Sequence, residues 1–209
     1  MRGLLKLLMI LVPAAVGLTA CNMFEPRADP SRFFTLTAIS EPKATAPAGS
    51  KHLDGETLGL GPVRLPGYLD RQEIVTRVSP NRIGVSENDR WAEPLEDNFT
   101  RVMGQNLAVL LHTDRFLVYP WPPSRRPNYQ VAIEVLRFES NSQGEVLLSA
   151  RWEILDTEKR TPLLSKESAI THQASGRSTD TAVAALSDAV ADLSREIANA
   201  FQVVTARAK

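Results

Sequence analysis

Residues 129–156 read YQVAIEVLRFESNSQGEVLLSARWEILD. In the first half Val131, Ile133 and Val135 alternate with Gln130, Ala132 and Glu134. In the second, Val146, Leu148, Ala150, Trp152 and Ile154 alternate with Ser149, Arg151 and Glu153. A period of two puts the apolar side chains on one face of an extended chain and the polar ones on the other. Between the halves, Asn141-Ser142-Gln143-Gly144 supplies turn residues. The economical pairing is an antiparallel hairpin of two long strands, Tyr129–Phe138 and Glu145–Asp156. Such a hairpin needs a cover for its apolar face.

The cover is legible downstream. After a further strand expected over Leu163–His172, the run from Ser178 to about Thr205 spaces Val183, Leu186, Val190, Leu193, Ile197, Phe201 and Val204 three or four apart. That is one apolar stripe on a long helix, with alanines on its flanks. Upstream, Leu95, Phe99, Val102, Met103, Leu107 and Leu110 make a second stripe. Its helix is expected to start with Pro94 at the first helical position and with Glu96 and Asp97 at the positive end. Strands are expected at Phe33–Ile39, Leu58–Val63, Glu73–Val78, Ile83–Val85 and Phe116–Tyr119. Leu65-Pro66-Gly67-Tyr68 reads as a type II turn, with proline second and glycine third. Residues 40–52 read as a loop, and the segment Trp121–Pro127, with three prolines, as a stiff one. The order of strands, helix, strands, helix implies an α/β fold: a mixed, largely antiparallel sheet with two helices packed on one face, in a single domain.

The front of the chain is of another kind. Arg2 and Lys6 precede Leu7–Leu18, a mostly apolar run too short for a comfortable membrane span. It ends in Leu18-Thr19-Ala20-Cys21: an apolar residue, two small ones and a cysteine, the pattern cleaved by lipoprotein signal peptidase. Cys21 is the only cysteine of 209 residues, so no intramolecular disulfide is available. A thioether to diacylglycerol would remove a thiol that is a liability in an oxidising compartment. The expected organisation is a signal peptide over 1–20, a lipidated tether over 21–31 and one periplasmic α/β domain over 32–209. Asn22, not aspartate, follows the cysteine, which favours the outer membrane in a cell with two membranes. No other apolar run approaches membrane-spanning length.

Composition narrows the function classes. Without the leader, 22 basic face 24 acidic side chains. That balance produces no field that would draw nucleic acid. There is no P-loop, no G-x-S-x-G, no H-E-x-x-H and no cysteine pair, so no enzyme, metal site or cofactor is expected. Gly59-Leu60-Gly61 is too short for a dinucleotide fingerprint and reads as a strand end or bulge. His52, His112 and His172 have no ligand spacing and read as surface or loop histidines. Asn98-Phe99-Thr100 matches a glycosylation sequon but falls inside the expected helix, and Arg125-Arg126 reads as a solvated pair. The informative residues are Tyr68, Leu69, Asp70 and Arg71 beside the turn, Trp91 at the helix entrance and Trp121 in the proline-rich loop. Aromatics and arginines concentrate in interfaces, so these are candidates for a partner or subunit surface. Tyr68 and Trp91 are equally compatible with stapling the turn to the helix within the core.

Several stretches, taken in order, resemble one family: the lipobox with Cys21, Phe33-Phe34-Thr35-Leu36, and Leu58-Gly59-Leu60-Gly61-Pro62-Val63 leading to Pro66-Gly67-Tyr68-Leu69-Asp70-Arg71. Ile74-Val75-Thr76-Arg77, Arg90-Trp91-Ala92-Glu93-Pro94-Leu95 and the Arg151-Trp152 strand follow. The chain resembles the PqiC/YmbA-type lipoproteins, the ABC-type transport auxiliary lipoprotein group. The resemblance implies an outer-membrane subunit of a system whose inner-membrane part carries mammalian-cell-entry (MCE) domains, which moves lipid between membranes and supports envelope integrity. It implies an MCE-domain protein as partner. MCE proteins commonly form rings, so a cyclic homo-oligomer of the lipoprotein is expected to match them. The alternative is a stand-alone envelope scaffold with no transport role.

Overall fold

The structure, a computed structural model, describes residues 29–39 and 55–208. The expected leader, Cys21, most of the tether, the 40–52 loop and His52 lie outside the described residues. In chain order the elements are β1 (Arg32–Phe34), β2 (Leu58–Arg64), a 3-10 turn (Gly67–Leu69), β3 (Glu73–Ser79), β4 (Arg82–Trp91), α1 (Leu95–Leu110), β5 (Phe116–Val118), β6 (Tyr129–Asn141), β7 (Glu145–Asp156), β8 (Thr161–Gln173) and α2 (Thr179–Ala208). Residues Ser31–Lys209 form one compact unit.

The hairpin that opened the sequence reading is the centre of the sheet. β6 and β7 pair antiparallel from Tyr129↔Asp156 to Ser140↔Val146, and β8 adds antiparallel to β7. The turn is closed by Asn141: its carbonyl accepts from the Gly144 amide at 3.0 Å, and its Oδ1 accepts from the amides of Gln143 and Glu145. Gly144 has φ +81°, where any other residue would be strained. The free edge of β6 is shared. Its first half pairs in parallel with β2, which also carries β5; its last two residues pair in parallel with β3, which carries β4 and then β1. The result is a mixed, largely antiparallel sheet of eight strands with two helices.

The apolar stripes form the core between sheet and helices. Val183, Leu186, Val190, Leu193, Ile197 and Phe201 of α2 are buried, as are Leu95, Phe99, Val102, Met103 and Leu107 of α1. Phe99 meets Phe138, and Tyr129 meets Phe201, each edge to face at 5.3 Å. Each such side chain contributes about 1.5–3 kcal/mol when withdrawn from water.

Three expectations are corrected. Pro94 sits one place before the helix, as its cap, with Glu96 and Asp97 in the first turn as expected. β4 runs ten residues where only Ile83–Val85 was expected, because β3 offers it a long antiparallel neighbour. Most informative is Phe33–Ile39. Only Arg32–Phe34 is a strand; residues 35–39 form a strap between the helices. The strap's amides are taken by helix side chains: Leu36 N–H donates to Asn98 Oδ1 (2.8 Å), Thr37 N–H to Ser187 Oγ (3.2 Å) and Ile39 N–H to Asn106 Oδ1 (2.8 Å). Asn98 and Asn106 are themselves buried, and Asn106 Nδ2 donates on to Ser194 Oγ at 3.0 Å. The sequon asparagine therefore serves as an internal bracket.

The registers fix a polarity. β1 runs parallel to β4, β4 antiparallel to β3, and β3 parallel to β6. The chain therefore comes into Arg32 from the side of the β3–β4 and β6–β7 turns, and β1 pairs with the last three residues of β4, Asp89 to Trp91. The opposite end carries the start of β2, the 119–127 loop and the β7–β8 turn. At the entry end Asp89 is a latch. It accepts from Arg32 (Nη2, 2.7 Å) and from Thr179 Oγ1, joining β1, β4 and α2. Burial pushes its carboxyl up, but the bonds from Thr179 and Arg32 outweigh that and hold it below its ordinary range.

Candidate functional site

Residues 65–72 cross the edge of β6 between β2 and β3. Pro66, with φ −60° and ψ 141°, starts the crossing. The type II turn expected here does not form: Gly67 lacks the positive φ it requires and opens a 3-10 turn instead, with Leu69 N–H donating to Pro66 O (2.9 Å) and Asp70 N–H to Gly67 O (3.2 Å). The tighter turn drives Leu69 into the core, at 2% exposure, and swings Tyr68 over the β6 edge. Asp70 and Arg71 are left in solvent. Trp91 N–H donates to Gln72 O at 2.6 Å, so the crossing is tied to the end of β4, and the Trp91 side chain is buried. Of the two roles open to Tyr68 and Trp91, the staple is the one these contacts describe.

Beneath Tyr68 lies the most charged cluster of the interior. Glu139 of β6 has a fully buried side chain. Its Oε2 accepts from Tyr68 Oη at 2.5 Å and from the Phe138 amide at 3.1 Å. Its Oε1 accepts from Arg77 Nε (3.0 Å) and from Arg137 Nε and Nη2 (3.0 and 2.9 Å). The Arg77 guanidinium also lies over the Tyr68 ring, 5.6 Å from its centre. A charge taken out of water is tolerated only when its lone pairs are met this completely. Burial pushes Glu139 up, but hydrogen bonds from Tyr68, Arg137 and Arg77 hold it below the ordinary carboxylate range. Burial, then the bond to Glu139, pushes Tyr68 to about 12. The carboxylate is thus locked as an anion and the phenol as a neutral donor, the reverse of what proton transfer near neutral pH requires. The cluster is a structural hub.

The other candidate, Trp121, lies elsewhere. Gly59, opposite Gln130, is bare because Pro127 Cγ and Trp121 Cζ3 lie 2.6 and 3.0 Å from where a Cβ would be. At Gly61 (φ +114°) the obstacle is Tyr119 Cβ, at 2.7 Å. The Gly-Leu-Gly motif therefore lets the proline-rich loop fold back on β2, and the register shift between Leu60 and Val63 is the expected bulge. Tyr119 and Trp121 meet edge to face at 5.3 Å; Trp121 is half-buried, while Tyr119 and Val118 are exposed. Gly59 is level with Gln130 and Tyr68 with Glu139. At the rise of an extended chain, the two candidates stand roughly 30 Å apart along β6. Tyr68, Leu69, Asp70, Arg71 and Trp91 come together; Trp121 does not join them.

Three residues of the hub were not singled out from sequence: Glu139, Arg77 and Arg137. The bulge between Val135 and Arg137 changes the parity of β6, so Phe138 takes over the buried alternation and Glu139 falls beside the crossing segment. The signal was the shift from Val131, Ile133 and Val135 to Phe138. His172 is a strand residue whose Nε2 lies 2.9 Å from Asp192 of α2. Among the described residues no three His, Cys, Asp or Glu side chains gather as metal ligands, and no helix is long and apolar enough to cross a membrane.

Residues 34–198 match the family described as ABC-type transport auxiliary lipoprotein component. The chain belongs to that family. The PqiC/YmbA-type resemblance read from the sequence is thereby upheld. As a transport auxiliary lipoprotein the chain falls in a class that is not enzymatic, and its name implies a membrane-anchored place in the cell envelope. Two solved structures share its fold. A Xanthomonas campestris protein of the DUF330 family is 18% identical with a TM-score of 0.70, covering 85% of this chain and 98% of its own. An uncharacterized protein is 18% identical with a TM-score of 0.66, covering 82% and 98%. No curated protein matches the sequence.

Proposed function

We propose that this auxiliary lipoprotein is anchored in the outer membrane through lipid on Cys21 and docks the periplasmic, MCE-domain component of an intermembrane lipid transport system, supporting envelope integrity. The observation that carries the reading is the polarity of the domain. The chain comes from the lipobox side into the entry end at Arg32, and the ten residues that follow Cys21, up to Ser31, reach about 35 Å at most. The exposed apolar residues Val118 and Tyr119 and the stiff proline-rich loop lie at the far end. Beside them a groove of about 800 Å³ runs between α1 and the β2–β5 edge, from Arg64 to Pro120. A stiff aromatic loop loses little entropy on docking, which suits it to a partner surface.

A cyclic homo-oligomer is part of the proposal. β8 pairs only with β7 and offers a thirteen-residue strand whose outer edge no described strand covers. Such an edge is a template for a second chain. Asp70 and Arg71, exposed on the crossing, remain candidates for a subunit contact.

The test is pull-down from detergent-solubilised envelopes, with outer-membrane fractionation alongside. The intact protein is expected in the outer membrane with an MCE-domain protein bound, and Cys21→Ser is expected to leave the membrane. Recovery without any MCE-domain protein would favour the scaffold alternative. A Cys21→Ser protein that stays in the outer membrane after a high-salt wash would refute the anchor.

A further inference from the structure

Residues 31–39 are attached to the fold lightly. Among them Leu36 alone is buried. β1 adds three residues at the edge of the sheet, in parallel with β4. Beyond β1 the amides of Leu36, Thr37 and Ile39 leave the sheet and go to side chains of the two helices. A segment with few buried apolar contacts opens at a lower free energy than the core it lies on.

The brackets that hold the strap do not depend on it. Asn98 Nδ2 also donates to Glu93 Oε1, Asn106 Nδ2 to Ser194 Oγ at 3.0 Å, and Ser187 Oγ to Val183 O at 2.9 Å. None of these bonds involves the strap, and the one from Asn106 to Ser194 ties α1 directly to α2. Withdrawing the strap hands three acceptors to water and leaves the side chains that carry them in place. Asp89 likewise gives up Arg32 and keeps Thr179. The hub is the opposite case, because nothing can leave Glu139 without stranding a buried charge. A slot whose groups stay fixed can be vacated and refilled.

We propose that residues 31–39 are a releasable clasp. They open as a unit while the sheet and both helices stay folded, and the opening lengthens the tether. With the clasp shut, the chain between Cys21 and Ser31 sets the reach given above. With it open, the next described attachment is at Gly55, whose carbonyl accepts from Arg115 Nη1. Residues 22–54 then reach about 110 Å at most. The lengthening, and only the lengthening, rests on lipidation at Cys21. The shut clasp keeps the domain beside its membrane; the open one lets it meet a partner farther away.

Hydrogen exchange tests the clasp on the chain from residue 22 onward, made without lipid, which contains the whole of the compact unit Ser31–Lys209. The amides of Leu36, Thr37 and Ile39 are expected to exchange together, about a hundredfold faster than those of Val146, Leu148 and Ala150 in β7. Ser187→Ala removes the acceptor of the Thr37 amide and no bond between the helices. It is expected to speed the three strap amides about fivefold, the worth of one hydrogen bond, and to leave the β7 amides unchanged. Strap amides as protected as those of β7 overturn the clasp, as does a loss of β7 protection in step with the strap in Ser187→Ala. The reach is read on the lipidated protein in vesicles, by energy transfer to a dye in the bilayer from a dye on Arg82→Cys, whose thiol is unique once Cys21 carries lipid. Two populations are expected, of high and of low transfer, and Ser187→Ala should enlarge the second. A single population that Ser187→Ala leaves unchanged overturns the lengthening. Protein that does not associate with the vesicles at all would count against the anchor at Cys21, and the exchange result would still decide the clasp.

Discussion

The two ends of this domain differ in what they sink into the fold, although both leave apolar side chains exposed, Phe33 and Val78 at one and Val118 and Tyr119 at the other. At the entry end, polar groups are sunk into the fold: Glu139 is buried beneath Tyr68, Arg77 and Arg137, and Asp89 latches β1, β4 and α2 together. At the far end, apolar groups are left out in water: Val118 and Tyr119 are exposed, and Trp121 is half-buried on a loop held by two glycines and four prolines. Buried polar clusters fix geometry, because each group must find its partner. Exposed stiff aromatics cost stability and are retained where something covers them. The proposed function makes the second end the contact surface, and the mutational responses of the two ends should separate accordingly.

The largest difference is expected at the hub. Glu139→Ala leaves two arginines and a phenol facing a void, and should destabilise by about 3–5 kcal/mol. For a domain of this size that lowers the melting temperature by roughly 10 °C. A shift within error of the parent would mean that solvent reaches the hub, and the contrast between the ends would fail. Partner binding, measured at a temperature where the variant is folded, should be little changed.

Next comes Tyr68→Phe, which removes one hydrogen bond to a charged group and should cost about 2 kcal/mol at neutral pH. Its pH dependence sharpens the comparison. Tyr68 is held at about 12 in the folded state, so its contribution is complete below its ordinary value and fades as pH rises from there through about 12. Glu139 is held below its ordinary value, so its contribution is complete above that value and fades as pH falls through the depressed folded one. Denaturant titrations across pH should show an alkaline loss in the parent that is missing in Tyr68→Phe, and an acid loss that is smaller in Tyr68→Phe, because the Tyr68 bond is the largest of those that lower Glu139. An alkaline limb that survives in the phenylalanine variant would assign it to another group.

The smallest effect on stability is expected at the far end. Trp121→Ala, on a half-buried loop, should cost about 1 kcal/mol or less. In pull-down, however, it should lose most of the MCE-domain partner. Stable folding with full partner recovery would remove the loop from the interface.

The two ends also differed in how far the sequence revealed them. The β6–β7 hairpin and α2 were readable because a period of two or of 3.6 is written directly in the residue order. The aromatic and proline content of 119–127 marked the loop, and Gly59-Leu60-Gly61, read as a strand end or bulge, is followed by the register shift of β2. The hub was not readable, because it depends on a bulge that reverses parity and on a crossing segment about seventy residues away in the chain. With the strand expected to stop at Phe138, Glu139 fell just beyond it. The strap was misread for a related reason. Thr35, Leu36 and Thr37 alternate as a strand does, but the amides of Leu36, Thr37 and Ile39 go to Asn98, Ser187 and Asn106, and alternation cannot tell a neighbouring strand from a helix side chain. Local patterns specify elements; long-range polar contacts must be seen.

The account's central claim is that the domain stands on its membrane by one end and meets its partner with the other. Photo-cross-linking in intact cells, with the lipidated full-length protein, tests this most directly, using a photoreactive residue at Arg82 or at Trp121. The account predicts phospholipid captured from position 82 and an MCE-domain protein captured from position 121. Partner captured from 82 and lipid from 121 would contradict it.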